Sequence, residues 1–260
     1  MTAFNPHNNF RQKLLSGECL IGTFVKTPSM MVAEVLASTD LDVVCFDAEH
    51  SPFDRRDIDS CLMAFRAEQK PALVRVASSA ADQILNALDC GATGVVIPHV
   101  DSPEKALACA TATAARYGRV GRGYAGSTRS AGYGAASVAE NISLNQLETT
   151  VIAQIEDLAA LDHIEEISAQ EGIDCLFIGM MDLTVALGAQ AATDSVVIEA
   201  AEKICIAAQA NNRKLGIFVP SIDSIEFWRD RGVTLFLMSS DHSFIKQGAK
   251  KLVEEARVNF

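Results

Sequence analysis

Ala72-Leu73-Val74-Arg75-Val76, then Ala81-Asp82-Gln83-Ile84-Leu85-Asn86-Ala87-Leu88, then Gly91, then Gly94-Val95-Val96-Ile97: this is one full period of the pattern that runs through the chain. The outer runs are almost wholly apolar. A strand of a parallel sheet covered on both faces has no solvent side, so its sequence does not alternate. In the middle run, Ile84, Leu85 and Leu88 stand three and four apart, the spacing that lays one stripe of a helix against a sheet. Gly91 comes where a helix ends most easily in the left-handed conformation. Strand, helix, glycine, strand reads as a βαβ unit.

Outward from this unit, apolar runs recur at Leu20–Val25, Val43–Phe46, Ala72–Val76, Gly94–Ile97, Val151–Ile155, Cys175–Ile178, Leu215–Val219 and Leu235–Met238, with Gly172 and Gly232 marking further helix ends. Eight such strands in 260 residues match a (β/α)8 TIM barrel, which takes ~250 residues. The prediction is an α/β protein with a single barrel domain over 1–260. A doubly wound sheet shares the rhythm but carries a glycine-rich phosphate turn after its first strand. Thr23-Phe24-Val25-Lys26-Thr27 has no glycine.

Lys and Arg total 22 against 33 Asp and Glu, a net charge of −11, which argues against a sequence-independent grip on phosphate backbones. No nucleic-acid partner is expected. Met1–Asn9 is polar, and no window reaches the ~18 apolar residues of a membrane span. The expected setting is cytoplasmic, with no membrane partner. The seven cysteines are widely spaced, form no C-x-x-C pair and mostly lie in apolar runs such as Val43-Val44-Cys45-Phe46, so they read as reduced core residues. Arg119–Gly134 breaks the rhythm as a glycine-rich loop with three arginines. It reads either as an interface or solvated loop, or as a lid whose Arg122 or Arg129 meets an anionic substrate.

Catalytic groups of a (β/α)8 barrel sit where the strands end, and polar residues collect there. The second strand runs into Asp47-Ala48-Glu49-His50, which suits either a carboxylate orienting an imidazole for proton transfer or an Asp47 that caps the following turn. The third ends in Arg75, whose guanidinium can fork onto a carboxylate or an enolate oxygen. Glu156 follows the fifth strand and Asp182 the sixth. Each is compatible with a helix N-cap, and together they can converge on one hard divalent cation.

These residues, in this order, resemble the HpcH/HpaI aldolase family, the class II pyruvate aldolases of the phosphoenolpyruvate/pyruvate barrel superfamily. The resemblance runs from Gly22-Thr23-Phe24 to the last helix, through Phe46-Asp-Ala-Glu-His-Ser-Pro52, Val74-Arg75-Val76, Leu88-Asp-Cys-Gly91, Ile97-Pro98, Gln154-Ile-Glu156, Phe177-Ile-Gly-Met-Met-Asp-Leu183 and Gly216-Ile-Phe218. It implies that Glu156 and Asp182 bind Mn²⁺, Mg²⁺ or Co²⁺, and that Gln154 and Arg75 contact the pyruvyl part. It further implies an Asp47–His50 proton-transfer dyad, a substrate-facing turn at Met181 and Asp182, and Phe218 against the aldehyde. Asp89 would reach a neighbouring subunit's site in a homohexamer, a trimer of dimers whose last helix packs on or swaps with an adjacent barrel. Two stretches depart from the family pattern: Ala48 stands for the usual glycine of Asp-Gly-Glu-His, and Gly179-Met180-Met181-Asp182 stands for Gly-Pro-x-Asp.

The function so implied is aldol cleavage and condensation of a 4-hydroxy-2-oxo acid, giving pyruvate and an aldehyde through a metal-stabilised pyruvate enolate. His50, oriented by Asp47, would take the C4 hydroxyl proton. A Schiff-base aldolase needs a lysine near a strand's exit, and only Lys26 stands at one; Lys70 and Lys214 precede their strands. The alternatives kept open are an acyl-CoA lyase of the citrate lyase β type, an oxaloacetate decarboxylase, and a barrel that binds without catalysis.

Overall fold

A computed structural model describes residues 9–113 and 121–260. Most of the polar N-terminal stretch, and Arg119 of the glycine-rich loop, lie outside the described residues. The strands are β1 (Leu20–Val25), β2 (Val43–Asp47), β3 (Ala72–Arg75), β4 (Gly94–Ile97), β5 (Thr150–Ile155), β6 (Cys175–Ile178), β7 (Lys214–Val219) and β8 (Val233–Ser240). The helices are α1 (Phe10–Ser16), α2 (Met30–Ala37), α3 (Arg55–Ala67), α4 (Ala81–Asp89), α5 (Pro103–Thr113), α6 (Val138–Glu148), α7 (Leu158–Asp162), α8 (Ile164–Ala169), α9 (Met180–Ala186), α10 (Ser195–Ala210), α11 (Ser224–Arg229) and α12 (Asp241–Arg257). Each strand pairs in parallel with the next and β8 pairs with β1, closing the barrel predicted from the apolar runs.

Closure creates two apolar layers. Val44, Phe46, Val74, Val95, Ala153 and Ile178 pack outward against the helices, while Val43, Cys45, Leu73, Val96, Ile152, Phe177 and Leu237 fill the barrel. Side chains alternate between these layers along every strand. Counting on by twos from the interior residues carries Asp47, Arg75, Gln154 and Glu156 into the mouth at the carboxyl ends. Phe10 and Leu14 of α1 join the interior cluster, closing the opposite end. All seven cysteines are free, and Cys19 alone among them is exposed.

Strand ends shift by a residue or more from the sequence reading. β2 gains Asp47 and β3 stops at Arg75 because these two residues stand in register across the pair. β8 runs on to Ser240, whose hydroxyl caps α12. The described part of the glycine-rich loop forms a short 3-10 segment, Arg129–Gly134. Arg129 is tied to the Asp59 carboxylate of α3 at 2.8 Å, and Arg122 to Asn145 Oδ1 of α6 at 2.7 Å.

Asp241, buried at the start of α12, accepts hydrogen bonds from the Lys26 and Thr27 amides at 2.8 and 2.9 Å, fastening the helix to the end of β1. Beyond it, Ile245, Leu252 and Val253 are exposed. Among the described residues no helix is long and apolar enough to cross a membrane.

Candidate active site

The centre of the mouth is an ion pair fixed by strand register. Asp47 is fully buried; its Oδ1 accepts from Arg75 Nε at 2.9 Å and lies 2.9 Å from Arg75 Nη2. Lys26 Nζ lies 3.1 Å from Oδ2. Burial alone pushes the Asp47 carboxyl upward, but Arg75, the His50 amide and Lys26 outweigh it and hold the group below its ordinary value. Burial likewise works against the Arg75 charge, and Asp47 more than restores it. The guanidinium also stacks on Phe24, 4.7 Å from the ring centroid. Its place is therefore set from two sides.

This pairing settles what Asp47 does locally. Its carboxylate accepts the backbone N–H of His50 at 3.2 Å and is otherwise engaged by cations. It caps the turn after β2, one of the two readings open from sequence. The exposed His50 ring faces Glu49 instead, with Nε2 3.7 Å from Glu49 Oε2. Lys26 is a partner of Asp47 rather than a free amine.

Beside the pair stands a second group. Glu156 is buried; its Oε1 accepts the His99 amide at 2.9 Å, and its Oε2 accepts from Gln154 Nε2. The His99 backbone has φ of 55°, a left-handed conformation uncommon outside glycine that persists only where the surroundings hold it. Here that amide bond and the contact of His99 Nδ1 with Asp157 Oδ2 at 3.1 Å hold it. His99 Nε2 lies 3.5 Å from Glu49 Oε1, and ligand atoms of Glu49, His99 and Glu156 all fall within 4.8 Å of one another.

Glu49 Oε2 lies 3.3 Å from Arg75 Nε, whose hydrogen goes to Asp47, so this buried oxygen accepts no hydrogen bond; Gln154 Oε1 is likewise without a partner. Burial raises the Glu49 carboxyl, and the Glu156 charge raises it further against the pull of Arg75 and the imidazoles. Two converging carboxylates and an imidazole are a donor set that a divalent cation satisfies. The residues present fit the metal that the sequence implies. Gly179 helps define the space: a Cβ there would come within 2.5 Å of Glu156 Cβ and 2.8 Å of Oε2.

The structure brings together Asp47, Arg75, Gln154 and Glu156 of the residues read from sequence. Phe218 packs its ring 6.0 Å from that of Phe24. Met181 and Asp182 lie exposed in the first turn of α9, and Asp182 is outside the three-residue group around Glu156. Asp89 ends α4 near Arg122 and Arg55 and is outside the three-residue group around Glu156. His99 was missed. The motif match stopped at Pro98, and the available signal was an ionisable side chain at the carboxyl end of the fourth strand. Glu49 stood in the sequence cluster without a role.

The model of the HpcH/HpaI aldolase/citrate lyase family matches residues 20–246. A hydroxypyruvate/pyruvate aldolase of Paraburkholderia phytofirmans is 31% identical over 96% of this chain and 98% of its own. A 5-keto-4-deoxy-D-glucarate aldolase of Shigella boydii is 29% identical over 95% of each. Among solved structures, an HpcH/HpaI aldolase/citrate lyase family protein from Burkholderia cenocepacia superposes with a TM-score of 0.89 at 30% identity, covering 96% of this chain and 99% of the other.

Proposed function

The chain belongs to the HpcH/HpaI aldolase/citrate lyase family and is a carbon–carbon lyase of the aldolase type, and from that premise we propose that it cleaves and forms 4-hydroxy-2-oxo acids by way of a pyruvate enolate. In cleavage the C3–C4 bond breaks, its electrons pass to the 2-oxo group, and the C4 hydroxyl becomes the aldehyde carbonyl as its proton leaves. Negative charge builds on the oxygen of the enolate. Arg75 has five N–H donors, of which Asp47 engages Nε and Nη2, and the remainder are available to that oxygen. His50, exposed beside Glu49, takes the C4 hydroxyl proton and returns it in condensation. Gln154 donates from Nε2 to Glu156 and holds that carboxylate in place beside the pyruvyl half.

Glu156 and Asp182 are the proposed metal ligands, with Glu49 and His99 beside Glu156 to complete the set. A bound Mn²⁺, Mg²⁺ or Co²⁺ supplies Lewis-acid stabilisation of the developing oxyanion. The observation that carries the reading is the convergence of Glu49, His99 and Glu156 ligand atoms within 4.8 Å of one another at the strands' carboxyl ends. The test is a screen of 4-hydroxy-2-oxo acids for pyruvate release, before and after treatment with a chelator and with each metal restored. Full activity in the chelated enzyme, or inactivation by borohydride with pyruvate, would sink the metal-enolate mechanism.

We further propose a homohexamer, a trimer of dimers, in a cytoplasmic setting. The unburied stripe Ile245, Leu252 and Val253 of α12 supports packing on an adjacent barrel, and Asp89 would then serve a neighbour's site. Light scattering on a Leu252→Glu, Val253→Glu double variant is expected to show a smaller assembly.

A further inference from the structure

We propose that the aldehyde partner of this reaction carries a neutral, apolar substituent, bound in a cavity between α9, α10 and α11. The proposal rests on the aldolase reading above and names the part of the substrate which that reading leaves open.

The cavity measures about 420 Å³, and Met180, Met181, Ile198, Phe218, Phe227 and Trp228 supply its apolar walls. That volume lies in the range of small-molecule sites, which run from about 300 to 1,000 Å³. Its position ties it to the chemistry in two ways. Met180 follows Gly179, whose Cα abuts Glu156. Phe218, the aromatic residue near the end of β7, packs on Phe24, and Phe24 in turn carries the Arg75 guanidinium. The cavity thus shares Met180 with the turn beside Glu156 and Phe218 with the ring stack that leads to Arg75.

Its chemistry selects the occupant. Asp223 is the one charged side chain among the described lining residues, and it accepts from Ser221 Oγ at 3.0 Å. None of the described lining residues is a cation, the nearest being Arg231 behind the Phe227 ring, so an acidic semialdehyde would lose its hydration there without a counter-charge. Met181 is 64% and Phe227 39% exposed, large apolar surface that a hydrocarbon chain would cover. Methionine side chains adapt to such a chain through their rotatable bonds. The pair Met180-Met181 supplies two of these apolar walls from the first turn of α9.

The test uses the full-length enzyme loaded with Mn²⁺ and pyruvate and measures kcat/KM for condensation with straight-chain aldehydes from propanal to hexanal. Each added methylene is expected to raise kcat/KM by about fourfold, the effect of burying one CH2 group. Succinic semialdehyde, the acidic counterpart of butanal, is expected to lie at least about tenfold below it, the factor that 1.4 kcal/mol of unfavourable desolvation gives. Two variants on separate elements, Thr193→Trp and Phe227→Ser, should flatten the chain-length series. Exchange of the pyruvate C3 protons in D2O, measured without aldehyde, separates the two levels. Absence of exchange overturns the aldolase reading and the pocket with it. Exchange accompanied by a flat series, or by preference for the semialdehyde, overturns the pocket assignment alone.

Discussion

Two sectors of one rim are built on opposite principles. From β2 to β5 the mouth is charged: Asp47, Arg75, Glu49, His99 and Glu156 converge there, and most are buried. From β6 to β7 it is apolar, walled by methionine and aromatic side chains. In the charged sector each group is held by another and placed by strand register, so removing one leaves its partner buried and uncompensated. The apolar sector is held by non-directional packing and tolerates change in steps. The first sector should therefore fail abruptly and the second by degrees.

The largest effect expected is that of Glu156→Ala. Pyruvate-forming turnover should fall roughly 10³-fold, the upper range for losing one electrostatic contact in the transition state, with an unchanged circular dichroism spectrum. Activity within about tenfold of the parent would erase the contrast between the sectors.

Asp47→Ala probes the same sector through stability. It strands Arg75 and Lys26 beside a missing carboxylate and should lower unfolding free energy by about 3–5 kcal/mol at pH 7, read by urea denaturation. The pH dependence sharpens this. The folded-state Asp47 is held below its ordinary value, so its contribution is fully present above the unfolded value of ~3.9 and is lost as pH falls through the lower, folded one. The gap between the two proteins should narrow on acidification below about pH 4; a constant gap would show that Asp47 is not the group responsible.

Gly179→Ala acts where the sectors meet. Its Cβ would press on Glu156, and a displacement of about 1 Å in a catalytic group can cost roughly 10²-fold in kcat. Steady-state kinetics should show that loss in kcat rather than in the order of preference among aldehydes.

His99→Phe should show the smallest change. Replacing the imidazole beside Glu49 and Glu156 is expected to weaken Mn²⁺ binding by about tenfold, measured by isothermal titration. Unchanged affinity would remove His99 from the donor set and leave Glu156 and Asp182 to hold the ion.

How far the site was legible follows from where each residue stands. Arg75 was visible because a charge that closes an apolar run has few uses at that position. Gln154 and Glu156 are visible because they sit two apart where β5 ends, one on the strand and one just past it. His99 gave no periodic signal. It follows a proline in a loop, and its meeting with Glu156 and Glu49 depends on β4 lying beside β5 and on the barrel bringing the end of β2 across the mouth. Asp47 reads from sequence either as an imidazole's partner or as a turn cap, and its pairing with Arg75 is absent from both readings because it depends on the β2–β3 register, which no local spacing expresses.

The sequence by itself determined the number and order of the strands, the helical faces against them, and the family's chemical inventory. Those are properties of short stretches, in which hydrophobic periodicity and turn residues act within a dozen positions. Tertiary structure decided which carboxylate meets which cation, that Glu49 and His99 join Glu156, that Arg122 and Arg129 are tied to helices, and that Met180, Phe218 and Trp228 enclose one space. These are contacts between segments tens of residues apart, set by barrel closure and by the alternation of side chains that closure aligns around the axis.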